Sequence, residues 1–321
     1  MFATHGIATP RGFVVRRGDP EKPDGLGASD VQKMYSDLGV KDVVVKAQVL
    51  SGKRGKNNGI KFCSSADEVS VAVSELFSTN IGGQYVAAVI VEEKLPIAEE
   101  HYLSITYDTN KKQPLLIYST SGGMEIEDVT EDKIHKIYLD IRTTNLIHPL
   151  VGEGLGGVSD IAKTLWQCFL AEDTRVVEIN PLIKTTDGRF VAADAKVAID
   201  DDAFYRHQEW AELEPRTLLG RLPTDREQNV KKIDEGENYY RGTAGKYIEM
   251  QGDIAILFSG GGASIANMDA LIKAGLQPAN YTEYSGNPPR EKVAALAKIV
   301  LSKPGLRGLW IAGGGANFTD I

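Results

Sequence analysis

The chain contains little cysteine and no long apolar run. Only Cys63 and Cys168 occur among 321 residues, and both lie in apolar stretches. Their isolation excludes a disulfide framework or a cysteine zinc site and predicts buried thiols in a reducing compartment. No apolar run approaches the ~20 residues that span a membrane, and the first residues lack the basic flank and apolar core of a secretory signal. We therefore expect a cytoplasmic protein that does not act at a membrane.

The chain also lacks an excess of positive charge. Its 36 Lys and Arg residues against 44 Asp and Glu residues give a net charge of −8. Such a surface repels nucleic-acid phosphates, so we expect no nucleic-acid partner. Any phosphate ligand then needs a local cluster of cations and backbone amides. The length is sufficient for two domains, each with its own core.

Segments of strand type and helix type alternate along the chain, which predicts an α/β fold. Before residue 200 the strand-like runs cover residues 43–45, 48–50, 85–91, 102–106 and 115–119, and the helix-like runs cover 66–76 and 158–170.

The pattern changes after a charged stretch at residues 222–240, which is typical of a connector. The segments that follow are a strand at 253–258, a glycine turn at 259–263, helices at 264–274 and 291–301, and a strand at 308–312. This order is that of a doubly wound domain. We predict a first domain at 1–222, a connector at 223–250 and a doubly wound domain at 251–321.

Residues 176–197 predict a β-hairpin that carries a metal site. Two strand-like runs flank Asp187-Gly188, a strong hairpin signal. With Gly188 in the left-handed position of the turn, Thr185 pairs with Arg189. In that register Asn180 lies opposite Asp194, and Glu178 lies opposite Lys196. All four polar side chains then point to one face of the ribbon.

Oxygen donors from Asn180 and Asp194, with no His or Cys nearby, suit Mg²⁺. The alternative is a solvated sheet face with one Glu178–Lys196 cross-strand pair. Pro181, directly after Asn180, predicts that strand pairing ends or bulges at this point.

Residues 51–59 form a flexible cationic loop with three glycines and three cations, Lys53, Arg54 and Lys56. Such a loop can approach a polyphosphate closely, although the Gly-Lys-Ser/Thr ending of a Walker motif is absent. A surface loop without a ligand is the alternative. Lys46, which we expect at the end of a strand between two apolar runs, needs an anionic partner if it is buried. A nucleotide phosphate would supply one.

At these residues the sequence resembles the succinyl-CoA synthetase β subunit and its relatives ATP-citrate lyase and citryl-CoA synthetase. The matching stretches occur in order along nearly the whole chain: His-Gly-Ile-Ala-Thr-Pro-Arg-Gly, Val-Val-Lys-Ala-Gln-Val with Lys-Arg-Gly-Lys, Ser-Thr-Ser-Gly-Gly-Met-Glu-Ile-Glu, Glu-Ile-Asn-Pro-Leu and Ala-Asp-Ala-Lys. The chain begins a short way into the family pattern and stops inside the second domain, so we expect a fragment.

The resemblance implies an ATP-grasp domain at 1–222 and a flavodoxin-like CoA-ligase domain at 251–321, and ATP and Mg²⁺ as ligands. It also implies a role for each matching position. Among the expected ATP-binding residues, the phosphates would be held by Lys46, Lys53, Arg54 and Gly55. Glu92 would meet the adenine and ribose side with Leu95 packing nearby, and Glu100 would reach the nucleotide or metal. The Mg²⁺ ligands implied by the family are Asn180 and Asp194, the same pair that the hairpin register brings together.

Two glycine segments follow strands of the second domain and offer backbone amides to an anion. By resemblance they hold the carboxylate substrate through Ser259, Gly260, Gly261, Gly262, Gly315, Ala316, Asn317 and Thr319. Glycine turns that only permit tight packing are the alternative. None of the five histidines lies in a glycine-rich segment, so no catalytic residue is assigned to this chain. The resemblance implies an α-type partner subunit that carries the phosphohistidine and the main CoA site.

The acid substrate is either citrate or succinate. The segment Gly-Gly-Gly-Ala-Asn-Phe-Thr looks like the citrate enzymes, and the loop Lys-Arg-Gly-Lys looks closer to the succinate enzymes. We favour an ATP-dependent citrate–CoA ligase subunit. The alternatives are a succinate–CoA ligase β subunit, an ATP-grasp ligase that joins an acid to an amine, and a non-catalytic scaffold.

Overall fold

The computed structural model describes residues 1–17, 27–50, 57–143, 155–212, 223–236 and 241–313. Contacts divide the chain into two compact units, the first made of residues 1–214 and 218–220 and the second of residues 215–217 and 221–321. Within the described residues, no helix has the length and apolar character needed to cross a membrane.

The first unit contains twelve described strands and three described α-helices. Its strands are β1 (Gly12–Arg16), β2 (Val43–Gln48), β3 (Ile60–Cys63), β4 (Asn80–Ile81), β5 (Gln84–Tyr85), β6 (Ala88–Glu93), β7 (Ile97–Asp108), β8 (Gln113–Ser119), β9 (Ile134–Tyr138), β10 (Thr174–Thr185), β11 (Phe190–Ala192) and β12 (Ala195–Ile199). Its helices are α1 (Ala28–Leu38), α2 (Ala66–Phe77) and α3 (Ser159–Ala171).

One antiparallel sheet has the order β1-β6-β2-β3 and packs its buried valines against α1 and α2. The α2 helix begins after Ser65, whose hydroxyl accepts a hydrogen bond from the Glu68 amide. In β2, Val43 and Val45 are fully buried, and Lys46 lies on the opposite face. The expectation that Lys46 ends a strand was wrong, because the alternation of inward apolar residues continues through it to Gln48.

The second sheet has the order β11-β10-β7-β8-β9, with β12 also paired to β10. The predicted helix at 158–170 is α3, and it packs against this sheet with Leu165, Trp166 and Phe169. The rings of Trp166 and Phe169 stack with centroids 5.6 Å apart. The long strands β7 and β10 pair antiparallel at the centre, so one central ribbon carries residues from both.

The second unit is a sheet of order β13-β15-β14-β16, formed by β13 (Thr243–Glu249), β14 (Ile254–Ser259), β15 (Asn280–Ser285) and β16 (Gly308–Gly313). Its helices are α4 (Asp225–Lys231), α5 (Gly261–Lys273) and α6 (Arg290–Leu301). Strand β14 runs parallel to both β15 and β16. Leu271 of α5 and Leu296 of α6 pack into separate cores, and β14 alternates its side chains between the two. The α/β class and the doubly wound pattern are thus confirmed.

The segment predicted as a connector at 223–250 is folded in its described parts, residues 223–236 and 241–250. It contains α4 and β13, and Val230 of α4 is fully buried in a core of the second unit. Thr224 and Glu227 form a capping box that starts α4. The charged composition misled the prediction, because α4 is a short helix that buries Val230 and leaves its charged residues at least partly exposed.

Candidate functional site

The hairpin between β10 and β11–β12 has the predicted register. The Thr185 amide donates to the Arg189 carbonyl at 2.8 Å, and Gly188 takes the left-handed conformation with φ of 86°. Farther along the ribbon Glu178 lies opposite Lys196. Local turn geometry was therefore sufficient to predict which residues face each other.

The ribbon is interrupted where Asn180 and Asp194 meet. The Asn180–Pro181 peptide bond is cis, and β10 shifts its register against β7 at this dipeptide, as the bulge prediction required. Asp194 lies between the end of β11 and the start of β12. The Asn180 amide donates to the Asp194 carbonyl at 3.1 Å, so the two residues are direct neighbours across the ribbon. An amide oxygen and a carboxylate at one half-buried position fit the donor set of Mg²⁺.

Lys46 reaches the same part of the ribbon from the first sheet. Its ammonium donates to the carbonyl of Ala193, the residue before Asp194, at 2.6 Å. It also lies 2.6 Å from a carboxylate oxygen of Glu92. The anionic partner expected for Lys46 is thus a protein carboxylate, and Glu92, expected on the adenine and ribose side, is beside this lysine. The pair was missed because it joins neighbouring strands that are far apart in sequence.

Glu100 lies in β7, where it is paired with Ile183 of β10. Its carboxylate adjoins Gly123, because a Cβ atom added to that glycine would collide with Glu100 Oε2. Leu95 is half-buried in the turn between β6 and β7. The remaining predicted nucleotide residues, Lys53, Arg54 and Gly55, lie outside the described residues.

Two features near the Asn180–Asp194 pair were not anticipated. The Tyr102 hydroxyl donates to Glu178 Oε2 at 2.9 Å, and burial raises the pKa of this tyrosine, so it stays a neutral donor. The loop Gly122–Met124 contacts the Asn180 carboxamide through the Gly123 amide and the Met124 carbonyl. The cluster of glycines before Met124 was the sequence signal for this close approach.

In the second unit, Ser259 ends β14 and Gly260 begins the glycine turn with φ of 82°. The amides of Gly261 and Gly262 then lie in the first turn of α5, which begins at Gly261, earlier than the predicted start at residue 264. Ser259 is the register partner of Gly313, so β16 ends beside the first glycine segment. The residues predicted within that segment, Gly315, Ala316, Asn317 and Thr319, lie outside the described residues.

A carboxylate that the sequence did not indicate adjoins this turn. A Cβ atom on Gly261 would lie 3.3 Å from Glu283 Oε2. Glu283 also accepts a hydrogen bond from the Tyr281 hydroxyl, and its carboxylate lies 3.1 Å from the Lys246 ammonium. The positive end of a helix dipole stabilises a carboxylate near the helix N-terminus. Glu283 therefore competes with an incoming anion for the N-terminus of α5.

The four histidines in the described part of the chain lie in the first unit. His5 contacts Glu172, His101 contacts Tyr118, His135 stacks on Tyr118, and His207 contacts Asp173 and Glu209. His148 lies outside the described residues.

Comparisons with known proteins agree with this architecture. Residues 1–184 match the family described as an ATP-grasp domain, and residues 221–321 match the one described as ATP citrate lyase citrate-binding. The β subunit of ADP-forming succinate–CoA ligase from Methanocaldococcus jannaschii is 35% identical over 97% of this chain and 79% of the relative. The corresponding subunit from Desulfurococcus amylolyticus is 34% identical over 96% of this chain and 78% of the relative.

A solved structure with a similar fold is the ATP citrate lyase of Methanothrix soehngenii in complex with citrate and coenzyme A. It is 25% identical, with a TM-score of 0.69, over 96% of this chain and 75% of that chain. The fold and the ribbon site thus define an ATP-grasp module followed by a doubly wound domain. The chain belongs to the family of ATP-grasp acid–CoA ligases that includes the succinate–CoA ligase β subunit and ATP citrate lyase.

Proposed function

We propose that this chain binds ATP with Mg²⁺ and passes the γ-phosphoryl group to a histidine on an α-type partner subunit. The observation that carries the proposal is the meeting of Asn180 and Asp194 across the ribbon, with Lys46 donating to the intervening Ala193 carbonyl. One divalent ion and one ammonium at the same place suit a triphosphate, whose charge must be neutralised for transfer.

In this proposal Asn180 and Asp194 hold Mg²⁺, which neutralises the charge that develops on the phosphate oxygens. The Lys46 ammonium has three N–H donors. Among the described residues its partners are Ala193 and Glu92, and we assign the third donor to a phosphate oxygen. Lys53, Arg54 and Gly55 supply further cations and an amide, with Glu92, Leu95 and Glu100 on the nucleotide side. These residues orient the reactants and supply charge, which is most of what phosphoryl transfer requires.

The chemistry then proceeds in three displacements. The partner's histidine nitrogen attacks the γ-phosphorus of ATP, and ADP leaves. A carboxylate oxygen of the acid attacks that phosphorus, which frees the histidine and forms an acyl phosphate. The thiolate of CoA attacks the acyl carbon, and inorganic phosphate leaves. The partner subunit supplies the histidine and the main CoA site.

We propose citrate as the acid. The match of residues 221–321 to a citrate-binding family supports it, as does the similarity to an ATP citrate lyase solved with citrate. Asn317 and Thr319 carry hydrogen-bonding groups suited to a hydroxyl and extra carboxylates. Succinate is the second candidate, supported by the higher identity to the succinate–CoA ligase subunits. Acyl-CoA formed from each acid by this chain and an α-type partner, identified by mass spectrometry, separates the two.

Asp194→Asn tests the nucleotide site in this chain alone. We expect the affinity for MgATP in calorimetry to fall at least about tenfold, as metal affinity does when a supporting residue is lost. Asp160→Asn removes one exposed carboxylate from α3 and is the matched control. Equal affinity of Asp194→Asn and wild type would contradict the proposal. With the partner and γ-labelled ATP, label should appear on the partner's histidine; label found only on the acid favours an acid–amine ligase.

A further inference from the structure

The Asn180 side chain, carried by β10, is bound by the loop Gly122–Met124, and this loop in turn lies against β7 at Glu100. The Gly123 amide donates to Asn180 Oδ1 at 2.8 Å. Asn180 Nδ2 donates to the Met124 carbonyl at 2.9 Å. Both ends of the carboxamide are therefore bound by adjacent backbone groups of opposite polarity.

This arrangement permits only one orientation of the carboxamide. If its oxygen and nitrogen exchanged places, the NH₂ group would face the Gly123 N–H and the oxygen would face the Met124 carbonyl. Two hydrogen bonds would be replaced by two repulsive contacts. An amide oxygen has two lone pairs, and the hydrogen bond from Gly123 uses one. The other remains for a cation.

We infer that the loop Gly122–Met124 is a positioning element that holds the Asn180 carboxamide with its oxygen ready for the divalent ion. This inference rests on the proposed function, because it assigns the cation to the same pair. It adds that the Gly123 amide and the Met124 carbonyl determine which atom of the Asn180 carboxamide, the oxygen or the nitrogen, faces the cation.

The two glycines explain how the loop comes so close. The Gly122 amide donates to the Glu100 carbonyl at 2.9 Å, and a Cβ atom on Gly122 would collide with the His101 carbonyl. Gly123 has φ of 74°, and a Cβ atom there would collide with the Glu100 carboxylate. The loop therefore lies directly on β7, and a side chain at either position would lift it from Asn180.

Gly123→Ala tests the inference, with Gly83→Ala as the matched control. Gly83 has φ of 83°, and its added Cβ would meet nothing within 4 Å, so it carries the same backbone strain without the collision. We expect Gly123→Ala to weaken Mn²⁺ binding in the presence of ATP by about 10- to 100-fold, as loss of a ligand's supporting contacts does. Gly83→Ala should leave it unchanged. Electron paramagnetic resonance of free Mn²⁺ gives the affinities.

Unchanged Mn²⁺ affinity in Gly123→Ala, with wild type binding Mn²⁺ and ATP, would overturn the inference and leave the proposed function standing. Absence of Mn²⁺ and ATP binding by wild type would instead overturn the proposed function. A second measurement needs neither ligand nor a folded Gly123 variant. In wild-type protein labelled with [¹⁵N]asparagine, the Asn180 NH₂ should exchange with water more slowly than that of Asn110 in its exposed turn. Equal exchange rates would show that the loop Gly122–Met124 does not hold the Asn180 carboxamide, and would overturn the inference.

Discussion

The Lys46 ammonium and the Glu92 carboxylate lie 2.6 Å apart, with side chains only 13% and 10% exposed. Two charges this far from water stabilise the fold only as a pair, since each alone would be left desolvated. The pair also lies beside the ribbon at Ala193. Lys46 therefore has a structural role and a proposed ligand-binding role, and a single substitution affects both.

A double substitution separates these roles. Lys46→Met should lower the free energy of unfolding by about 3–5 kcal/mol, because it removes the cation that lies against the buried Glu92 carboxylate. Lys46→Met combined with Glu92→Gln should recover most of that stability but not the affinity for MgATP. Urea unfolding and calorimetry measure the two quantities. Lys61→Met, which breaks the more exposed pair with Glu75, is the control. If Lys61→Met lowers the free energy of unfolding as much as Lys46→Met does, burial of the Lys46–Glu92 pair does not explain the loss of stability.

His207 predicts a pH-dependent contribution to stability. Its ring lies between Asp173 at 2.8 Å and Glu209 at 3.0 Å and stacks on Trp210. The hydrogen bond to Asp173, joined by the one to Glu209, raises the pKa of His207 above its ordinary value. A raised folded-state pKa stabilises the protein fully below the unfolded value of about 6.5, and the gain is lost as pH rises through the folded value.

The thermal midpoint of wild type should therefore decline relative to His207→Gln as the pH rises from about 6.5 through the raised folded pKa. The difference between the two proteins should be largest on the acid side. His135→Gln changes an exposed histidine and serves as the control. Parallel pH profiles for wild type and His207→Gln would contradict the prediction.

We expect the ion pair between Lys292 and Asp234 to stabilise the second unit. Their charged groups lie 2.9 Å apart, with Lys292 buried on α6. Burial alone would raise the pKa of Asp234, but hydrogen bonds from Thr243 and Lys292 outweigh it and lower the pKa. Asp234 also accepts a hydrogen bond from the Ala244 amide at 2.8 Å, so it joins the 3-10 turn that follows α4 to the start of β13.

Lys292→Met should destabilise the second unit by about 3–5 kcal/mol, because it removes the cation that lies against the partly buried Asp234 carboxylate. Lys298→Met removes an exposed lysine from the same helix and should have little effect. Hydrogen exchange of residues 243–249, followed by mass spectrometry, measures the local opening. Similar exchange in the two variants would show that Asp234 does not depend on Lys292.

The parts of the fold that the sequence predicted correctly depend on local rules. The turn at Gly188 determines the pairing of Glu178 with Lys196, since strand residues alternate strictly from the turn outward. Helix α2 was also predictable, because Val69, Val73 and Leu76 recur on one face and are buried. In contrast, β15 was missed. Its polar and aromatic sequence, Asn-Tyr-Thr-Glu-Tyr-Ser, lacks an apolar alternation, and the buried Asn280 bonds instead to the backbone of Ile256.

The candidate site was predicted only where its residues lie on one ribbon. Asn180 and Asp194 could be brought together by counting from the turn. The partner of Lys46 could not, because Glu92 becomes its neighbour only through the pairing of β2 with β6. The contacts of Gly123 with Asn180 and Glu100 likewise depend on how three segments pack. Sequence patterns identify such residues singly but do not show which of them meet.

The turn at Gly188 sets the register of both strands of the ribbon. One residue inserted between Asn180 and Asp194 would rotate the carboxylate to the opposite side, where Ile179 is buried in the core. An insertion in the turn could thus abolish cation binding without altering a single ligand. Substitutions at the exposed Asp187 and Arg189 should be tolerated far better than changes in the length of the chain between them.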